Sequence, residues 1–421
     1  MLSRVYAVQK RTSIVSVRPL GGVNVLDVTR IVSGPLACQF LAAFGADVIR
    51  VEPPGGDHTW RTPPFVGPDG AHPGPRGPDD IPLAPLRRGR GKRNVVLDIK
   101  DPRGVALFLD LVAWADVLVD NFRPGVLDGL GLSRDVLTAR NDRLIHCSIT
   151  GYGQDGPYRD RPAMDAVIQA TSGFMAKTGF PDGPPVKSGA MIGDEIPAVF
   201  AALGVLAALR ARDQDGQGRF VDLSMFEALL TILWDEPIDH YEDAGLGPRF
   251  GNTDPRAGPI GVFATRDGHV AMVLTGDDQW PPLCAAMARP DLAHHTSATR
   301  RGDTLTVINA AIGEWCATLA TDDAVAVISG CGIPCGPVQP PWVGRRDPHV
   351  AARRSLERLG HALLDEPTQY LGARLPFLID DVDLSSTPAE PLGASTDAVL
   401  RQVCGLSDDD LASLRADGVV G

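Results

Sequence analysis

One aspartate, Asp194, stands in a setting suited to acyl transfer. Asp194 closes the turn Ser188-Gly-Ala-Met-Ile-Gly-Asp194, which opens onto a long apolar run ending near Arg212. Ile196, Val199, Phe200, Leu203 and Leu206 recur at helical spacing, so a buried helix is predicted to begin beside the aspartate. Asp is a favoured N-cap, and Pro197 is expected in the first turn, where a missing N–H costs nothing. There the helix dipole and free amides are expected to keep the carboxylate ionised and still. Gly193 lacks a Cβ, which would let a thioester carbonyl approach a nucleophilic carboxylate closely. The competing reading of the same residues is an ordinary capping aspartate without chemistry.

The elements that must hold these residues alternate between strand and helix. Residues 23–28 read as a strand, 35–44 as a helix and 46–52 as a second strand. A Pro-, Gly- and Arg-rich stretch at 53–91 reads as a long functional loop. Beyond it, 93–99 is a strand, Asp101-Pro102 opens a helix to Ala115, and 116–120 and 144–149 are apolar strands. The long helix at 195–212, a strand at 219–223 and a helix through Trp234 complete the pattern. The implied class is α/β, with an open, mostly parallel, Rossmann-like sheet. Between 250 and 330 the elements are shorter and mixed, with a hairpin turning at Asp267-Gly268 and helices at 277–289 and 303–319. The chain therefore divides into an extension at 1–19, a large domain at 20–222, a linker helix at 223–250, a small α+β domain at 251–330, and a linker with the rest of the large domain at 331–421, where helices are expected at 396–403 and 407–416.

Composition narrows the chemistry. At 421 residues and a net charge of −12, the chain is too acidic for a nucleic-acid binder. A basic cluster at Arg87, Arg88, Arg90, Lys92 and Arg93 suits one phosphorylated ligand, or is a solvated loop. No apolar run reaches the roughly 20 residues that span a bilayer, and the first nineteen lack an apolar signal core, so no membrane partner is expected. Seven scattered cysteines suggest a reducing cytoplasm. Cys331 and Cys335 lack paired histidines or a second cysteine pair nearby, so no metal is expected.

Several further motifs occur in register with Asp194. They are Leu26-Asp-Val-Thr-Arg-Ile-Val-Ser-Gly-Pro35, Gly45-Ala-Asp-Val-Ile-Arg-Val-Glu52-Pro-Pro-Gly-Gly-Asp57, the run from Lys92 to Gly104, and Ala115-Asp-Val-Leu-Val-Asp-Asn-Phe-Arg-Pro-Gly125. Gly151-Tyr-Gly-Gln-Asp-Gly-Pro-Tyr158, Arg161-Pro-Ala-Met-Asp165, Thr178-Gly-Phe-Pro-Asp-Gly-Pro-Pro-Val186 and Gly330-Cys-Gly-Ile-Pro-Cys-Gly-Pro-Val338 follow. Together they resemble the class III CoA-transferases, from about Leu20 to the C-terminus. The resemblance implies that Asp194 is the nucleophile and Asp165 a supporting carboxylate. It places Ile31, Val32 and Ser33 along the pantetheine arm of coenzyme A, and Lys92, Arg93, Asn121, Phe122 and Arg123 at its nucleotide end. It also implies acyl-CoA and carboxylic acid as substrates and an interlocked homodimer. Gly89 and Gly91 depart from the family's asparagines, Pro53 from an arginine of formyl-CoA transferase, and Asp165 from its glutamate.

Three other activities meet obstacles in particular residues. A nicotinamide enzyme would need Gly-x-Gly-x-x-Gly after the first strand, where Thr29-Arg-Ile-Val-Ser-Gly-Pro35 stands instead. The related α-methylacyl-CoA racemases need an acid and a base across one carbon, and a histidine before the supporting aspartate supplies one. Here that position is Met164, while His146, His240 and His269 lie in other segments. A non-catalytic acyl-CoA binder would not require both aspartates. Pocket residues for the acyl group are expected among Met164, Met191, Tyr152, Trp234, Tyr241 and Phe250–Asn252.

Overall fold

The computed structural model describes residues 17–67, 69–77, 80–364 and 368–421, so most of the extension expected at 1–19 lies outside the described residues. Six strands form the main sheet: β1 (Asn24–Asp27), β2 (Asp47–Glu52), β3 (Lys92–Val96), β4 (Val117–Asp120), β5 (Ile145–Thr150) and β6 (Arg219–Ser224). Their order is β3-β2-β1-β4-β5-β6, and every neighbouring pair is parallel. This is the doubly wound arrangement, in which the direction of winding reverses between β1 and β4. Loops leaving those two strands diverge there and open a crevice at their carboxyl ends.

The helices supply the sheet's two covering layers. Helix α1 (Ser33–Ala43) follows β1, and α2 (Pro102–Trp114) starts where Asp101 accepts the Arg103 N–H, as Asp101-Pro102 predicts. Phe108, Leu111 and Val112 of α2 pack with Leu26, Ile49, Val95 and Leu118 of the sheet. Val399 and Leu400 from the helix Thr396–Cys404, and Leu411 from Asp408–Ala416, join the same core. The Thr396 hydroxyl accepts the Val96 N–H at 3.0 Å, tying the C-terminal segment to β3. Two further helices carry the aspartates: α3 (Asp165–Thr171) and α4 (Ile192–Asp215). Among the described residues, α4 alone is long and apolar enough to cross a membrane, and half of that apolar stretch is buried.

The 53–91 segment is more ordered than a loop. Phe65–Gly67 pairs antiparallel with both Gly70–His72 and Ile81–Pro82, and Leu83–Arg88 is helical. Val66, Ile81 and Leu86 are buried with Leu359 and Ala389. Their apolar partners lie far away in sequence, so local periodicity has nothing to reveal.

The chain separates into two compact units: residues 17–172, 190–232 and 348–421 in one, and 173–189 with 233–347 in the other. The second unit thus includes 233–250 and 331–347 as well as the 251–330 stretch. Its sheet runs Ile260–Ala264, His269–Val273, Cys335–Pro337, all antiparallel, with the expected hairpin between the first two. The side chain of Asp267 at that turn accepts the Thr321 N–H at 2.8 Å. The helix expected at 277–289 is only Trp280–Ala286: Pro281 and Pro282 stand in its first turn, and Ala288 just beyond its end takes a left-handed φ of 55°. A helix at Thr321–Gly330 was not anticipated from sequence.

Candidate active site

Helix α4 begins two residues before Asp194, which corrects the expected N-cap. Met191 occupies that position without a side-chain cap, and the N–H groups of Asp194 and Glu195 both reach the Met191 carbonyl. The capping carboxylate comes instead from α3: Asp165 Oδ1 accepts the Gly193 N–H at 2.8 Å. Gln169 Nε2 holds both oxygens of Asp165, at 2.9 and 3.0 Å, one turn along the same helix. Asp165 is thereby an orienting group for the turn that carries Asp194. Pro197 lies in the second turn rather than the first, so the Gly193 carbonyl loses its usual helical donor.

Gly193 also has a packing reason that its sequence context does not show. A Cβ there would stand 2.6 Å from the Asp165 carbonyl oxygen and 3.0 Å from Oδ1. Its absence lets α3 meet the start of α4. The Gly-rich turns also offer fewer free amides for an oxyanion than their composition implies. Gly193 N–H is committed to Asp165, Gly153 N–H to Thr150, and Gln154 N–H to Asp222.

Asp194 is 8% exposed, and its carboxyl is raised to about 6. Burial is the largest cause and the nearby Asp165 charge the next; Arg88 opposes them and Glu195 adds to them. Desolvation disfavours the charged form and like charges add to that cost. The helix start thus does not lower this carboxyl below its ordinary value. At neutral pH it remains mostly a carboxylate, but a more basic one.

A cavity of about 100 Å³ opens beside Asp194 at the sheet's switch point. Ile31, Val32 and Ser33 from the loop after β1 line it, as do Asn121, Phe122 and Arg123 from the loop after β4. Met164, Arg159 and Arg161 complete the wall near Asp194. Ile31, Asn121, Phe122 and Arg123 also border a wider cleft of about 900 Å³, which continues past Pro53, Leu97 and Lys100. Six of the eight residues that the sequence assigns to a coenzyme thus share one wall with Asp194.

The other two face elsewhere. Lys92 is 3% exposed and bound to Asp27 at 2.8 Å and the Pro35 carbonyl at 2.7 Å, so its ammonium braces the sheet. Arg93 pairs with Asp47 at 2.7 Å and reaches Gln402. Both belong to a strand whose alternation turns one inward and one away from the cleft. Asn121 lines the cavity, but its amide is spent: Oδ1 accepts the Arg30 N–H and Nδ2 donates to the Arg30 carbonyl, each at 2.7 Å. Arg123, Lys100 and Arg30 all border the cleft with no ion pair among the described residues, Arg30 lying 5.2 Å above the Phe122 ring.

Three residues at the site carry weak sequence signals. Arg88 belongs to the basic cluster but nothing local separates it from Arg87; in the fold it is half-buried, and its Nη1 donates to the Ile31 carbonyl at 2.8 Å. Arg159 and Arg161 sit in a loop beside tyrosines, Arg161 stacking 3.6 Å over Tyr158. His146, by contrast, is buried in β5 with Nε2 2.7 Å from Asp120. Among the described residues lining the Asp194 cavity there is no histidine. Of the residues expected around an acyl group, Met164 lines the cavity, Trp234 is 56% exposed, and Tyr241 and Phe250 enclose the Lys177 ammonium at 4.3 and 4.2 Å.

A doubly wound sheet with a buried carboxylate over its switch-point crevice defines a ligand-binding α/β protein. The chain belongs to CoA-transferase family III, whose model matches residues 20–396. It is 34% identical over 412 residues to a succinyl-CoA–D-citramalate CoA-transferase of Chloroflexus aurantiacus, covering 96% of this chain and 98% of that one. It is 33% identical over 436 residues to a formyl-CoA:oxalate CoA-transferase of Rhodopseudomonas palustris, with 96% and 97% covered. Among solved structures, a CaiB/BaiF family protein from Brucella suis superposes with a TM-score of 0.80 at 30% identity, over 91% of this chain and 99% of that one. The chain is a CoA-transferase.

Proposed function

We propose that this enzyme moves coenzyme A from an acyl-CoA to a carboxylic acid through covalent chemistry on Asp194. The observation that carries this reading is the buried, basic carboxylate opening into a cavity that shares its wall with a much larger cleft. The cleft takes the nucleotide, beside Phe122 and the free cation of Arg123, and the pantetheine arm runs along Ile31, Val32 and Ser33. The thioester then reaches Asp194.

The carboxylate of Asp194 attacks the thioester carbonyl, and the tetrahedral oxyanion collapses with loss of CoA thiolate, leaving a mixed anhydride. The thiolate attacks the aspartyl carbonyl, expels the donor acid as its carboxylate and forms an aspartyl-CoA thioester. The acceptor carboxylate attacks that thioester, releases the thiolate again and gives a second anhydride. Thiolate attack on the acceptor's acyl carbon forms the new acyl-CoA and returns Asp194. Each bond made replaces one broken, and no step requires net proton transfer or a redox partner. Asp165 orients the nucleophile's turn and raises its basicity. Arg159 and Arg161 on the cavity wall suit an acid with a second carboxylate, in keeping with the succinyl-CoA named for the citramalate relative. We further assign a homodimer with interlocked chains, working in the cytoplasm.

Trapping tests this directly. Incubation with succinyl-CoA followed by hydroxylamine should convert Asp194 to a hydroxamate, because an anhydride or thioester is open to attack and a free carboxylate is not. A racemase would instead exchange the α-hydrogen of a 2-methylacyl-CoA with deuterated water and leave no adduct. Exchange without adduct would reverse the assignment.

A further inference from the structure

The loop between β1 and α1 contains a backbone conformation that its own sequence disfavours. Ile31 has φ 68°, in the left-handed region, although a β-branched residue is among the least suited to it. A glycine would adopt this shape freely, yet the position that lines the Asp194 cavity is isoleucine.

Side chains satisfy every backbone polar group of Arg30 and Ile31. Asn121 takes both groups of Arg30. The Ile31 N–H donates to Asp57 Oδ2 at 3.0 Å, and the Ile31 carbonyl accepts from Arg88 Nη1 at 2.8 Å. Asp57 is itself held by several partners. Its Oδ1 accepts the Thr59 N–H at 2.7 Å, its own N–H reaches Glu52 at 3.0 Å, and Arg50 meets its Oδ2 at 3.2 Å. Arg50 also binds Glu52 at 2.6 Å and Asp27 at 3.4 Å, anchoring the assembly to the ends of β1 and β2. Burial alone would push the Asp57 carboxyl up; Arg50, Thr59 and the Ile31 amide together hold it below its ordinary value. Arg88 lies close enough to Asp194 for the two charges to influence each other.

We propose that Asp57 and Arg88 are positioning residues that clamp the Ile31 peptide from its two sides, keeping the cavity wall shaped for attack by Asp194. The clamp is a property of the fold; only its consequence for rate rests on the transferase reading.

Hydrogen exchange in the full-length enzyme tests the clamp without substrate. Asp57→Ala should make the Ile31 amide exchange about tenfold faster or more, while the β4 and β5 amides keep their rates. Asp57→Asn retains an acceptor oxygen and should leave that amide near wild type. If the Asn variant loosens as much as the Ala variant, or neither loosens, the clamp is overturned.

The kinetic arm uses transfer between succinyl-CoA and labelled succinate. Asp57→Ala should lower kcat by about tenfold, the factor expected when a strained residue is released. Adding Ile31→Gly should recover part of that loss, because glycine holds the left-handed shape unaided; adding Ile31→Ala should not. A general loss of stability would not distinguish the two second changes. Equal behaviour of the two double variants would overturn the proposal. A wild type that shows no exchange would count against the transferase reading with this acid, and the amide measurement would still decide the clamp.

Discussion

Asp27 and Asp194 are both buried aspartates at the ends of regular elements, and burial has opposite outcomes for them. Asp27, at the end of β1, is fully buried but meets Lys92 at 2.8 Å and Arg50 at 3.4 Å. Burial raises its carboxyl, and these two cations more than offset that, holding it well below the ordinary carboxylate range. Asp194, near the start of α4, is nearly as buried but faces Asp165 and Glu195 with only Arg88 opposing, and it rises to about 6. The first group is a paired charge that braces the sheet; the second is an incompletely paired charge left more basic, as the nucleophile we propose requires. The partners, more than the depth, decide which one stays basic.

Removing each charge should separate the two roles. Asp194→Ala should lower CoA transfer by on the order of 10⁴-fold while calorimetric binding of CoA persists, the scale seen when a nucleophile is deleted. Activity within tenfold of wild type would sink the assignment. Asp194→Asn should also raise stability. Its folded carboxyl lies above its unfolded value, so the ionised form is penalised in the fold, and stability is lost as pH rises through about 6. The gain from Asn should approach about 3 kcal/mol at pH 8 and vanish below about pH 4, as read from urea melts.

The paired region should respond in the opposite sense. Arg50→Met leaves Asp27, Glu52 and Asp57 without their shared cation and should cost about 3–5 kcal/mol of stability. A loss under 1 kcal/mol would mean that the network contributes little beyond Lys92.

Smaller effects sharpen the comparison at the site itself. Activity in wild type should rise with pH through about 6 and then level, since the carboxylate is the attacking form. Asp165→Asn still accepts the Gly193 N–H but removes a like charge, so this limb should move to lower pH. An unmoved limb would leave burial and Glu195 as the causes of the rise. Smallest of all, Arg123→Ala should weaken CoA by about fivefold, near 1 kcal/mol, and dephospho-CoA less, whereas Arg93→Ala should change neither. Equal weakening of both ligands by Arg123→Ala would place the 3′-phosphate elsewhere.

The alternation of apolar runs was enough to locate all six sheet strands to within a few residues, because each is a local pattern with the period of its own element. The helix at 192–215 and the cap at Asp101 were legible for the same reason. The order inside 65–88 was not, since Val66 and Leu86 bury against Leu359 and Ala389. Lys92 and Arg93 looked alike as adjacent cations, and only the pleat of β3 shows that one is buried under Asp27 and the other pairs at the surface.

The amino-acid order by itself determined the family and the parallel α/β class, because each rests on residue type and spacing along the chain. The tertiary structure decided what those residues do to one another. Asp165 caps the turn of Asp194, Gly193 makes room for that contact, and Arg88 and Asp57 hold Ile31 where its backbone would not rest alone. Burial and the sign of the nearest charge exist only once distant segments meet, and they set the basicity of a carboxyl that in sequence is one aspartate among many.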